Sequence, residues 1–314
     1  MAALALAAAA LLRWASPPAA LATGILFARL IGQPLARWNH QATKWLLQGS
    51  VVLLGFGMTL PGVLRSGADG SLFAAATIGA TLLLGRWLGR RLKLGANTSL
   101  LISAGTAICG GSAVAAVSSV IGASEAEIAV SIGTIFLLNA VALYAFPLVG
   151  HLLHLSPSQF GLWAGVAIHD ISSVVGAGLT YGRGSLPTAL AVKLSRTLWI
   201  VPVTLAIALR ARRRAGAEGA SRPRGFSVPV PAFIVFFLLA SLLRSYVPGM
   251  EGWAPLLSAI ARHGMVLVLF LIGTSLSAHA LRVVGWRTAA AGLALWLFVS
   301  AGSLGAIIGF RLRP

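Results

Sequence analysis

Residues 103–112 read SAGTAICGGS in the middle of a long apolar run. Three glycines and several hydroxyl side chains therefore lie near the midpoint of segment 98–121, which is long enough to cross the hydrocarbon core of a membrane. Glycine lowers helix stability and lets backbones approach closely, so the stretch is typical of tight helix packing or of a helix that breaks inside the membrane. A broken helix exposes N–H groups where its second half begins, and these groups favour an anion.

The composition of the whole chain also predicts a membrane protein. Of its 314 residues 58% are hydrophobic and only 10% are charged, whereas about a quarter of a soluble domain is charged. The net charge of +18 does not indicate a nucleic-acid partner, because the basic residues lie at the ends of apolar runs, where they face the cytoplasm and anionic lipids. The single cysteine, Cys109, excludes an intrachain disulfide and a thiolate metal cluster.

Hydropathy predicts a single transmembrane domain over residues 1–314, with eleven spans, or ten if the short segment within residues 1–16 does not cross or is a signal segment. Fifteen basic residues lie on one side of these spans and seven on the other. The positive-inside rule places the fifteen in the cytoplasm, together with the N-terminus and a polybasic loop at 210–228. The predicted spans are 2–14, 17–32, 43–60, 70–89, 98–121, 127–149, 159–180, 186–209, 229–247, 254–279 and 287–309.

A second small-residue stretch, IGTSLS at 272–277, lies inside span 254–279. Without the first span, residues 17–150 and 159–310 form two sets of five spans, and the glycine-containing span is the fourth in each set. Five is an odd number, so the second set is inserted upside down relative to the first. Interrupted helices at matching places in an inverted repeat are typical of secondary transporters with a site at the membrane midplane.

Three motifs resemble the YeiH-type family of bacterial inner-membrane proteins, which is associated with sulfate export. They read GTAICGGSA at 105–113, FGLWAGVAIHD at 160–170 and VKLSR at 192–196, and the similarity extends from about Lys44 to the C-terminus. The family is grouped with transporters similar to bile-acid symporters and to cation/proton antiporters. The resemblance implies ten core helices in two inverted five-helix repeats, two discontinuous helices that cross at the centre, and a fold compatible with a homodimer.

Charged residues inside the spans are the next candidates, because such residues are rare in membranes and mark function by default. Of the six acids only Asp170 is clearly internal, and it follows His169. Lys193 and Arg196 are three residues apart and share one helix face. Either the two bases pair with Asp170 or snorkel to an interface and only hold helices together, or Asp170 and His169 handle a coupling proton while Lys193 or Arg196 compensates a substrate anion.

Substrate or ion contacts are therefore predicted in four segments of the chain. Asn139 in span 127–149 is either a helix–helix hydrogen-bonding residue or a polar group of the site, and Cys109 is also interpreted as a packing residue. The predicted binding residues are Gly105, Thr106, Cys109, Gly110 and Ser112; His169, Asp170 and Ser173; Lys193 and Arg196; and Gly273, Thr274 and Ser275.

The predicted function is secondary transport of a small anion, sulfate or an organosulfonate, exported by alternating access and coupled to H⁺ or Na⁺. The sequence has no G-x-x-x-x-G-K-[ST] loop, so ATP hydrolysis is not expected, and no cofactor or metal is predicted. A cation/proton antiporter is the main alternative. An intramembrane enzyme that uses His169 and Asp170 with Ser172 or Ser173, and a channel, are also open.

Overall fold

The computed structural model describes residues 17–31, 36–182, 184–217, 232–275 and 284–309. Throughout these ranges the regular secondary structure is helical, which confirms an all-α polytopic membrane protein. The helices are α1 (Pro17–Ile31), α2 (Ala36–Gly55), α3 (Leu60–Arg91), α4 (Ala96–Ala107), α5 (Gly111–Ile121), α6 (Glu125–Leu152), α7 (Pro157–Ala167), α8 (Ile171–Tyr181), α9 (Ser185–Leu198), α10 (Ile200–Ala217), α11 (Ala232–Tyr246), α12 (Met250–Ser275) and α13 (Trp286–Gly309).

Four helical segments of the described chain are long and apolar enough to cross a membrane unaided: α6, α9 with most of α10, α12 and α13. Two further spans consist of half-length helices joined end to end, α4 with α5 and α7 with α8. Each joined pair has the length of a full transmembrane helix. The predicted span 2–14 lies outside the described residues. The predicted loop 210–228 begins later than expected, since α10 continues to Ala217 and residues 218–228 are outside the description.

The helices pack as two groups. In the first, which we call the scaffold bundle, α12 packs against α1 and α2, and α2 packs against α11. The second, the core bundle, contains α3 to α10 and α13, with α9 against α7 and α3, and with α4 against α3 and α6. Both joined pairs of half-helices belong to the core bundle. Helix α8 connects the groups, because it contacts α1 and α12 as well as α6 and α9.

Small residues bring the core helices into backbone contact. A Cβ atom on Gly161 of α7 would lie 2.5 Å from the carbonyl oxygen of Ser185, and one on Gly165 would lie 2.7 Å from the carbonyl oxygen of Ala189, both on α9. Two glycines four residues apart on one helix face are the usual means by which membrane helices approach this closely. This contact fixes α7, and the break that follows it, against the helix that carries Lys193.

The second helix break is not where the sequence pattern predicted it. Helix α12 is continuous through Gly273 and Thr274 to Ser275, so the interruption predicted over 272–277 does not occur within residues 272–275; residues 276–277 are outside the description. Gly273 instead lies where α12 crosses α1, because a Cβ atom on it would be 2.4 Å from the carbonyl oxygen of Leu21 and 3.0 Å from the Cα atom of Gly24. The actual second break lies between α7 and α8, inside the span predicted over 159–180.

This crossing predicts a strong effect for Gly273→Leu. Overpacking a tight contact costs about 3 kcal/mol or more when the obstacle is backbone, so we expect a clear fall in the thermal unfolding temperature of the purified protein. Gly302→Leu on α13 is the matched control, because nothing lies within 4 Å of the Cβ position there. Equal unfolding temperatures for the two variants would show that the α1–α12 crossing does not depend on Gly273.

Candidate functional site

The first break separates α4 from α5 and is built on Gly110. This residue has φ 70° and ψ −128°, a conformation available in practice to glycine alone. A Cβ atom on it would lie 3.3 Å from Cγ2 of Ile135 and 3.5 Å from both the carbonyl carbon and the Cβ atom of His169. The backbone of the first break therefore lies against His169 of the second break, and the positive φ at residue 110 is what requires glycine there.

The second break separates α7 from α8 and is built on Asp170. Asp170 is the N-cap of α8 and has extended backbone angles. Its Oδ1 accepts hydrogen bonds from the Ser173 backbone N–H and from the Ser172 hydroxyl, each at 2.6 Å, and its Oδ2 accepts one from the Ser173 hydroxyl at 3.0 Å. A carboxylate at this position satisfies free N–H groups and interacts favourably with the helix dipole. Asp170 thus ends one helix and starts the next.

Asn139 of α6 connects both sides of this break. Its side-chain nitrogen donates to Oδ2 of Asp170 at 2.6 Å, and its side-chain oxygen accepts from the backbone N–H of His169 at 3.0 Å. The two bonds use both ends of one amide, so they fix its orientation. Asn139 is therefore a helix–helix hydrogen-bonding residue that also lies at the centre of the candidate site.

Lys193 and Arg196 lie deep in the core bundle, each only 1% exposed. The Lys193 ammonium donates to the carbonyl oxygen of Ile108 at 3.4 Å. The Arg196 guanidinium donates to the hydroxyl of Thr77 at 2.9 Å and to the carbonyl oxygen of Ala107. Both bases therefore interact with the carbonyl end of α4, where the helix dipole favours positive charge.

Neither buried base is paired with an acid in the part of the chain that the structure describes. The one ion pair found there joins Arg244 to Glu251 at 3.1 Å, near the surface. Asp170 is near enough for its charge to act on Lys193, but it makes no ion-pair contact with Lys193 or Arg196. An ion pair with Asp170 and a position at the interface are therefore contradicted, whereas the hydrogen bonds to Ile108 and Ala107 also fit a role of the two bases in holding helices together.

Several buried polar atoms around the breaks have no hydrogen-bond partner. They include the Thr106 hydroxyl, both ring nitrogens of His169 and Nε of Arg196. The carbonyl oxygen of Ile135 is close to the imidazole but does not meet it with hydrogen-bond geometry. Buried polar atoms are nearly always hydrogen-bonded, since an unmet one is costly. This group of atoms, beside the two buried bases, is the candidate site for a small polar ligand.

The remaining residues of the first motif shape the break. A Cβ atom on Gly105 would lie 2.1 Å from Cδ1 of Ile135, so Gly105 permits close packing. The Cys109 thiol and the Ser112 hydroxyl are 2.8 Å apart, within the turn that joins α4 to α5.

The structure thus brings together ten of the thirteen predicted binding residues. Thr274 donates its hydroxyl to the carbonyl oxygen of Leu271 within α12, Gly273 lies at the α1–α12 crossing, and the side chain of Ser275 is outside the description. Sequence reasoning missed Thr77, for which a lone threonine in an apolar helix gives no signal.

The geometry of the first break predicts that Gly110→Ala impairs the protein more than Gly122→Ala does. Both glycines have left-handed φ values, 70° and 63°, but nothing lies within 4 Å of the Cβ position of Gly122. We expect Gly122→Ala to lower the free energy of unfolding by about 1 kcal/mol and Gly110→Ala by about 2 kcal/mol or more. Thermal unfolding of the two variants measures this, and an equal loss would show that the breaks need not touch.

Comparison with known proteins gives a consistent set of relatives. The family model described as conserved hypothetical protein 698 matches residues 2–292. A UPF0324 membrane protein of Porphyromonas gingivalis is 48% identical over 300 residues, which cover 94% of this chain and 88% of the relative. UPF0324 membrane proteins of Bacteroides thetaiotaomicron and Bdellovibrio bacteriovorus are 43% and 44% identical, over 93% of this chain and 86% and 89% of theirs. No solved structure matches the chain.

Proposed function

The chain belongs to the family of conserved hypothetical protein 698, whose relatives are UPF0324 membrane proteins, and from that premise we propose that it is a secondary transporter of a small anion. Membership confirms the resemblance to the YeiH-type family. A site on two discontinuous helices at the centre of a helical membrane protein is the arrangement that secondary transporters use.

One observation carries the proposal: Lys193 and Arg196 are buried side by side without an acidic partner among the described residues. An uncompensated buried charge is strongly unfavourable, and charges inside a membrane protein are functional by default. A bound anion would compensate both bases and accept hydrogen bonds from the unpartnered Thr106 hydroxyl and Arg196 Nε.

Of the two half-helix N-termini, that of α5 favours an anion rather than a cation. Asp170 caps α8 with its own carboxylate. The N-cap of α5 is Gly110, which has no side chain to cap the free N–H groups there. The positive end of α5 is therefore open to a ligand. Inorganic sulfate and organosulfonates both present the oxygen acceptors that such a site requires.

We assign the coupling of anion transport to proton movement to His169 and Asp170. The imidazole is 1% exposed and its two nitrogens have no partner, and it lies beside Gly110 of the other break. Proton exchange at His169 or Asp170 would change the charge of the site by one unit as the anion enters or leaves. A sodium ion in place of the proton is the alternative coupling ion.

The other functions find less support in the geometry. A cation/proton antiporter would have to bind its cation beside two buried bases. A Ser–His–Asp enzyme is not assembled, because the Ser172 and Ser173 hydroxyls both donate to Asp170 and neither bonds to the His169 ring. A nucleophile and its base must be within hydrogen-bond reach of each other.

The test is uptake of radiolabelled sulfate and of a labelled alkanesulfonate by proteoliposomes, with and without a pH or sodium gradient. Saturable uptake that is accelerated by unlabelled anion on the opposite side supports a carrier, since a channel gives no counterflow. Folded protein that moves neither anion above empty liposomes under any gradient would overturn the proposal.

A further inference from the structure

A crevice of about 490 Å³ lies between the scaffold and core bundles, apart from the two breaks. Leu54 of α2 and Met58 in the turn after α2 line it, together with Leu186 and Leu190 from α9 and Ser258 and Arg262 from α12. Several glycines complete its walls, so the lining is mostly apolar or backbone. A cavity of this size, with few polar groups at one place, is typical of a site for a small organic molecule.

Among the described residues that line the crevice, Arg262 is the one cation and Ser258 carries the one side-chain hydroxyl. Arg262 is exposed and, in the described ranges, takes no part in an ion pair. Ser258 is only 8% exposed and lines the crevice without a hydrogen-bond partner among the described residues. Both residues are on α12, one turn apart, so their polar atoms can bind the same polar group of a ligand.

The N-terminus of α9 adds positive potential to the same place. Its N-cap, Gly184, has φ 97° and offers no side chain to cap the helix. Gly184, Leu186 and Pro187 line the crevice; Pro187 has no backbone N–H, so Leu186 is the lining residue of the first turn of α9 that offers a free one. An acid group held by Arg262 and Ser258 would also interact favourably with this helix end.

An apolar cluster forms part of the crevice wall. We call this cluster the apolar floor, and it contains Leu54, Val175, Leu190, Leu194 and Met265. Leu54 and Leu190 face the crevice, whereas Leu194 is next in sequence to Lys193. The crevice lining contains neither buried base and no residue of the two breaks, so the crevice is a second place for a ligand.

We propose that the crevice binds an organic monoanion, with its sulfonate or carboxylate on Arg262 and Ser258 and its hydrocarbon body on Leu54, Met58 and Leu186. One arginine balances one negative charge, and the apolar lining stabilises a hydrocarbon chain. Inorganic sulfate has two negative charges and no apolar part. The crevice therefore offsets little of the free energy that sulfate loses when its hydration shell is removed. For transport, this proposal rests on the proposed function. It then makes amphiphilic organic anions, rather than sulfate, the class of substrate.

The test is equilibrium binding to the full chain in lipid nanodiscs, measured calorimetrically with methanesulfonate, butanesulfonate, hexanesulfonate and sulfate. Heats from empty nanodiscs are subtracted, so that partition into lipid is removed. Affinity should rise about fourfold for each added methylene until the crevice is filled, and sulfate should not displace hexanesulfonate. Affinity that does not change with chain length would overturn the proposal.

Two variants assign the binding to the crevice. Arg262→Gln should weaken hexanesulfonate binding at least about tenfold, because a charge-assisted hydrogen bond is lost. Arg287→Gln, at an exposed arginine at the start of α13, is the matched control and should leave binding unchanged. Met58→Trp should fill part of the crevice and weaken hexanesulfonate more than methanesulfonate. Equal affinities for wild type and Arg262→Gln would overturn the assignment.

The binding experiment and the flux experiment test the crevice site and the transport proposal separately. If hexanesulfonate binds as expected but no anion crosses the proteoliposome membrane, the transport proposal fails and the crevice site stands. If sulfate or sulfonate flux is saturable but Arg262→Gln alters neither binding nor flux, the transport proposal stands and the crevice site fails.

Discussion

Replacing Lys193 and Arg196 together by glutamine is expected to reduce saturable anion flux at least about a hundredfold. Each side chain is fully buried and supplies one of the two positive charges at the helix breaks. A hydrogen bond to a charged group contributes about 1.5–3 kcal/mol, so each loss weakens anion binding about tenfold or more. Flux into proteoliposomes at an anion concentration below saturation measures the effect.

Folding has to be separated from binding in this experiment, because both bases also interact with the carbonyl end of α4, at Ile108 and Ala107. The conservative variants Lys193→Arg and Arg196→Lys keep the charge and should retain part of the flux. Arg210→Gln changes an exposed arginine of α10 and should have no effect. Wild-type protein should also gain thermal stability from added substrate anion, since binding to the folded state stabilises it.

The double variant should fold without this anion-dependent gain in stability. Near-normal flux from a folded double variant would remove both bases from the mechanism. If the double variant does not fold, the deciding measurement is the gain in thermal stability that added anion gives to the two charge-conserving variants. The absence of this gain would contradict an anion site at the two bases.

Part of the fold and site was predictable because short-range signals decide it. The apolar runs predict helices, the glycines at 110 and 111 predict the first break, and the three-residue spacing of Lys193 and Arg196 predicts a shared face. The structure confirms each of these points.

The second break shows what the sequence pattern could not separate. Residues 168–170 contain no glycine, and the helix ends there because Asp170 caps the next one and Asn139, about thirty residues away, holds the unpaired backbone. The sequence pattern predicted a helix break at Gly273, but this residue lies where α12 contacts α1. A glycine can permit a helix break, or it can permit a neighbouring helix to pack closely. Which of the two it does depends on the neighbouring helix, and the local sequence does not specify that helix.

This correction also affects the repeat. The two observed breaks lie in the fourth span of the first predicted set and in the first span of the second, so they are not at matching positions. The inverted five-helix repeat over 17–150 and 159–310 stays a prediction, as do the orientation inferred from the positive residues and the homodimer. The site does not depend on the repeat, since it is built from contacts among α4, α5, α6, α8 and α9.

Exchanging the acid and amide between Asp170 and Asn139 should give a stable protein with little flux. Asp170→Asn alone is expected to lose flux at least about a hundredfold, but its cause would be ambiguous. An amide that accepts from Ser173 with its oxygen turns its NH₂ group towards the NH₂ group of Asn139, and one buried donor is left without an acceptor. That costs about 1–3 kcal/mol of folding free energy, so the single variant tests structure and charge together.

The double variant Asp170→Asn/Asn139→Asp separates the two effects. The amide at position 170 can donate to the carboxylate at position 139, which can still accept from the backbone N–H of His169, so the hydrogen bonds that cross the break are kept with reversed polarity. Thermal stability should therefore return close to the wild-type value. The negative charge has nevertheless moved from the N-terminus of α8 to α6, away from the Ser172 and Ser173 hydroxyls, so flux should stay at the level of the single variant. If flux returned together with stability, Asp170 would be needed only to hold the break, and proton coupling would have to be assigned to His169 alone.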